Sequence, residues 1–162
     1  MDRSLTFVGA FVAAALAPVA VFLGTMLLLG GKAVLTSLPL MGFSSFVVSA
    51  GHVLFLGLPA VFTLHKLGRL RLRATLLVGL VAGCVPMAIT TWPVTDTNSG
   101  YTSNGVELLV NGIPTAAGWA RYCYGVLSAG LLGAIGGLAF YLTLRGFSPN
   151  NSFKPKPLRG SP

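Results

Sequence analysis

The sequence predicts an all-α integral membrane protein: four transmembrane helices in a compact bundle, with a short turn-rich, β-prone outer loop between the third and fourth. Three observations predict it. Hydrophobic residues make up 54% of the chain and charged residues only 9%, against roughly 25% charged in an ordinary soluble domain. Four apolar runs, at about residues 5–30, 42–64, 74–92 and 122–144, have the length that a ~30 Å hydrocarbon layer demands of a helix rising ~1.5 Å per residue. The basic residues, finally, gather at one end of these runs. The transmembrane domain then covers residues 1–146, the outer loop 93–121, and a basic tail 147–162 follows.

The first run follows Asp2 and Arg3 and is rich in alanine, as a secretory signal would be. A signal core is only about 7–15 residues long, and this run continues through Met26 and Leu29. It reads as a retained first helix. Orientation follows from Lys and Arg, which keep short loops in the cytoplasm. Arg3, the loop HKLGRLRLR with Lys66, Arg69, Arg71 and Arg73, and Arg145, Lys154, Lys156 and Arg159 fall on one side, with Asp2. Lys32 and Arg121, balanced by Asp96 and Glu107, fall on the other, so the whole formal charge of +8 lies on one face. Both termini are therefore expected in the cytoplasm of a bacterial inner (plasma) membrane. The expected partner of the basic face is the anionic inner leaflet, at about 1 kcal/mol per basic residue, and not nucleic acid. The tail GFSPNNSFKPKPLRGSP has no apolar face to bury and is expected to be disordered.

Helices in lipid associate through close backbone approach, which small residues at four-residue spacing allow. The fourth run carries Gly125, Ala129, Gly133 and Gly137; the third carries Thr75, Gly79 and Gly83; the first carries Gly9, Ala13 and Ala17. These ridges serve either packing inside the chain or a homo-oligomer. Pro18, Pro59 and Pro86 each remove a helical hydrogen bond and are expected to kink their helices. Cys84 and Cys123 lie at different depths, so no disulfide is expected.

Ionisable groups inside a membrane point to function because burying them is costly. No Asp, Glu, Lys or Arg stands near the middle of any run. The chain thus lacks the membrane glutamate of small multidrug exporters, whose size it shares, and the C-x-x-C of four-helix disulfide oxidoreductases. No H-E-x-x-H, phosphate loop or nucleophile elbow occurs, so no catalytic residue, cofactor or metal is expected. One polar stripe is left. Ser45, Ser49 and His52 share a helical face, and Thr63 is expected to return to it beyond Pro59. This stripe serves either as hydrogen bonding between helices or as the lining of a small polar cavity.

In the outer loop, Val106–Val110 is β-prone and Asn111-Gly112 is a pair suited to a type I′ turn. A hairpin across that turn meets Pro114, which cannot donate to a ladder; the alternative pairs the same run with 97–103 across Asn104-Gly105. Trp92, Tyr101, Trp119, Tyr122 and Tyr124 cluster nearby, as an interfacial aromatic belt would. Arg121, placed just before the fourth run, either clamps this cap by pairing with Asp96 or Glu107, or anchors at the interface beside Trp119 and Tyr122, or meets an anionic ligand.

The pattern resembles in kind the small four-helix bacterial inner-membrane proteins. Two functions follow from it as expectations. The first is an accessory protein that packs with or docks a membrane-protein partner. The second is a small transporter, channel or lipid-handling protein that uses Ser45, Ser49 and His52.

Overall fold

The computed structural model describes residues 3–30, 35–94 and 99–147; Lys32, Asp96 and the tail beyond Phe147 lie outside them. It is 78% helical, with four helices long and apolar enough to cross a membrane. They are α1 (Arg3–Gly30), a broken second span (Leu38–Lys66), α4 (Leu72–Thr90) and α5 (Ala116–Phe147).

The second span is not one α-helix. α2 (Leu38–His52) passes into a π-helical segment (Val53–Gly57) and then α3 (Leu58–Lys66). The cause is Pro59. Its ring has no N–H and crowds the carbonyl four residues back, and the turn before it widens, so that the Leu58 N–H bonds to the carbonyl of Val53, five residues back. The extra residue turns the rest of the helix by about 100°, one residue's rotation. α3 ends at a Schellman turn: Gly68 has φ +63°, its N–H bonds to His65 and the Arg69 N–H to Leu64.

α4 and α5 pack antiparallel through their small residues in a single register. A Cβ on Gly79 would run into the Gly133 carbonyl, one on Gly83 into that of Ala129, and one on Gly137 into that of Thr75. The next step of the same register sets Gly125 against Met87, at 3.6 Å. The ridge is thus occupied inside the chain. A second face of α5 meets α1, where a Cβ on Gly136 would lie 2.9 Å from the Ala14 carbonyl oxygen. That carbonyl is free of its usual i+4 donor because residue 18 is proline, and Gly136 lets α5 approach it.

Beyond α4, three short strands form an antiparallel meander, β1 (Tyr101–Ser103), β2 (Val106–Val110) and β3 (Ile113–Pro114). The two pairings posed as alternatives occur together. Asn104, Gly105, Asn111 and Gly112 all have positive φ, between 50° and 78°, as two Asn-Gly type I′ turns require. Pro114 is no obstacle because it stands opposite Leu109 on an edge strand, and the next residue supplies the missing donor: Thr115 N–H bonds to Leu108 at 3.1 Å. The Thr115 hydroxyl donates to the Glu107 carbonyl at 2.7 Å and accepts from Gly118 N–H at 3.2 Å. It therefore fastens the sheet and caps α5 at once. This cap starts the helix at Ala116, six residues ahead of the position expected from hydropathy at Tyr122, and it shortens the outer loop accordingly.

The buried apolar side chains among the described residues are few: Ala10, Ala14, Ala15, Val19, Val61, Phe140 and Leu144. Five of them form one cluster where α1, α3 and α5 meet near the basic loop.

Candidate functional site

The four spans make a ring. α2 lies along α1, α1 along α5, α5 along α4, and the π segment and α3 return to α4 near the basic loop. α2 itself has no comparable packing against α4. The ring is therefore closed at the basic-loop end and parted along the α2–α4 seam nearer the sheet.

Inside it is a chamber of about 380 Å³, within the size range of small-molecule sites, roughly 300–1,000 Å³. Phe11, Val61 and Phe140 border it toward the buried cluster, with the Phe11 and Phe140 rings 5.1 Å apart. Thr75, Gly79, Gly133 and Gly137 line the α4–α5 wall, and Ser45, Ser49 and His52 stand on the opposite one. Thr75, only 2% exposed, spends its hydroxyl proton on its own first turn, with the Leu72 carbonyl at 2.9 Å. Among the described residues, no Asp, Glu, Lys or Arg borders the chamber.

The polar wall has a definite hydrogen-bond state. Ser49 Oγ donates across to the Ala15 carbonyl of α1 at 2.8 Å. His52 Nδ1 lies 2.7 Å from the Val48 carbonyl; a carbonyl only accepts, so Nδ1 carries a proton, and in the neutral ring Nε2 is the acceptor. Ser45 is half-buried and has no hydrogen-bond partner among the described residues. His52 falls midway along the Leu38–Lys66 span, at the entrance to the π segment.

The structure sets Ser45, Ser49 and His52 on one wall but removes Thr63 from it. Thr63 is exposed and bonds to the Pro59 carbonyl at 2.9 Å. The residue added by the π turn rotates α3, so Val53, Gly57 and Val61 continue the wall in its place. Sequence reasoning missed these three, along with Phe11 and Phe140, and gave Thr75 only as a packing-ridge residue. The signal was the Gly57-Leu58-Pro59 stretch, where a proline forces the upstream turn to adjust.

At the sheet end, Arg121 stands inside α5 and not ahead of it. It reaches β1, with Nη1 donating to Ser103 Oγ at 2.9 Å. It makes no ion pair with Glu107, which faces Thr102 across the β1–β2 ladder; Asp96 lies outside the described residues. Among the described residues Arg121 thus ties α5 to the sheet through a strand hydroxyl, and the start of α5 at Ala116 places it within the helix. Trp92, Trp119 and Tyr122 form a triangle of edge-to-face rings, each pair 5.8 Å apart, and the Tyr122 hydroxyl donates to the Ala88 carbonyl at 3.0 Å. This ties the first turns of α5 to the end of α4. Both cysteines are free thiols.

Comparison with protein-family models, with curated proteins and with solved structures finds no match to this chain.

Proposed function

We propose that this chain is a bundle-forming protein of the bacterial inner membrane that holds a small lipophilic molecule in its central chamber, a lipid-handling role. The chamber is the observation that carries the reading. It is apolar, uncharged and bordered by all four spans, with one polar wall at mid-span. Its parted seam between α2 and α4 faces the surroundings of the helices, which suits a ligand arriving from lipid. Insertion itself is supported by the outward display of apolar side chains: Leu28 is 86% exposed, Phe55 81% and Leu40 73%, an arrangement that water penalises and hydrocarbon does not. The proposed orientation places both termini and the loop with Lys66, Arg69, Arg71 and Arg73 in the cytoplasm.

The test is native mass spectrometry of the protein released from mild detergent. A stoichiometric small-molecule adduct is expected, and it should be lost from Ala82→Trp, which fills the chamber from the α4 side. An adduct-free wild type overturns the reading. The accessory-protein alternative rests on the exposed apolar residues of the sheet, Val106, Val110 and Ile113. A stoichiometric protein subunit in place of the small adduct favours it.

A further inference from the structure

The polar wall of the chamber is selective in a way its composition does not disclose. Its two central side chains have already committed their protons: Ser49 Oγ–H to Ala15 and His52 Nδ1–H to Val48. What they leave for a ligand are lone pairs, on Ser49 Oγ and on His52 Nε2. Both groups border the chamber, and three residues apart on a helix they are neighbours on one face. At mid-span these two side chains offer acceptors and no donor; the free donor of the wall is the Ser45 hydroxyl, one turn before Ser49. A ligand that brings only an acceptor, such as an ester, ether or ketone, would put lone pair against lone pair. Beside Ser49 and His52 it would find no donor, and unmade bonds in an apolar site are expensive. A ligand that brings a hydroxyl satisfies the wall.

We infer that the chamber selects neutral lipophiles carrying a hydroxyl group, whose single O–H donates to His52 Nε2, over ethers and esters of the same chain. The inference rests on the proposed lipophile-binding role and names the ligand class. Among the described residues the lining holds no Asp, Glu, Lys or Arg, which argues for a neutral head over a carboxylate or phosphate. Ser45 stands seven residues from His52, about 10 Å along the helix, and so is out of reach of the same hydroxyl. Its free hydroxyl would serve a second polar group of the ligand there.

The experiment uses the full-length protein in lipid nanodiscs and three diazirine-bearing probes of equal chain length: hexadecanol, its methyl ether and hexadecanoate. Cross-linked peptides are mapped and quantified. The expected result is labelling of chamber-lining residues by the alcohol about tenfold above the ether, the worth of ~1.4 kcal/mol. His52→Phe should bring that ratio close to one while leaving ether labelling unchanged, and His52→Gln, whose amide oxygen again accepts, should restore part of it. Because the three probes are compared on the wild type, the result does not depend on any variant folding. Equal labelling by alcohol and ether overturns the inference but leaves the chamber a lipophile site. Preference for hexadecanoate overturns it in favour of an anionic ligand. A preference for the alcohol that persists in His52→Phe overturns the role of Nε2. Failure of every probe to label the chamber overturns the lipophile-binding role itself.

Discussion

Substituting alanine at Gly133 tests the close contact on which the whole α4–α5 pair depends. A Cβ there would overlap the Gly79 carbonyl and lie 3.2 Å from the Gly83 Cα. Both obstacles are backbone, so neither swings aside, and the helices must part by roughly 1 Å. A gap of that size forfeits a quarter to a half of each dispersion contact along the seam. Overpacking of this kind costs about 1–3 kcal/mol, against which alanine gains about 0.5–1 kcal/mol in helix propensity over glycine. The net expectation is a loss of about 1–2 kcal/mol. Gly24 and Gly51 supply the control, since no atom lies within 4 Å of a Cβ at either; alanine there keeps the propensity gain and loses nothing. The sign of the effect therefore differs within one protein. Reversible unfolding in mixed detergent micelles measures it, and Gly133→Leu should separate the helices outright. If Gly133→Ala proves as stable as Gly24→Ala, the close packing of α4 on α5 is refuted.

The remaining predictions concern the cap and the orientation. Thr115→Val keeps the shape but removes both the sheet bond and the helix cap, and should cost about 1–2 kcal/mol, seen as faster amide exchange at Gly118 and in β2. Gly112→Ala, at φ +78° with its N–H bonded to Ser99 at 3.0 Å, should destabilise the β2–β3 turn by about 1 kcal/mol or more and show increased proteolysis between 99 and 115; an unchanged cleavage rate would count against the turn. Arg121→Gln loses an exposed hydrogen bond to Ser103 and should raise loop cleavage only modestly, by about twofold to threefold. Single cysteines introduced at residue 69 and at residue 106, in a background lacking Cys84 and Cys123, should react with an impermeant maleimide added to the periplasmic side only at 106. Labelling at 69 alone would invert the proposed orientation.

How much of the site was legible can be judged from the second span. Ser45, Ser49 and His52 were readable as one face because helical periodicity is local, but the continuation of that face was not. A proline specifies that a hydrogen bond is lost; whether the helix kinks, breaks or widens into a π turn depends on what its neighbours leave room for, and that choice moved Thr63 off the wall and put Gly57 and Val61 on it. The sheet shows the same limit. Each Asn-Gly turn was recognisable alone, yet Pro114 argued against the second hairpin until Thr115 was seen to donate in its place.

By itself, the sequence determined four helices of membrane-spanning length and apolarity, the two turns and the small-residue ridges, because hydropathy, turn chemistry and four-residue spacing are written along the chain. Only the tertiary structure decided which ridges meet, that Arg121 reaches Ser103, and that the ring of helices parts between α2 and α4 around a chamber. Those are properties of pairs of elements distant in sequence. They depend on register and on distances of a few ångströms, which no local pattern encodes.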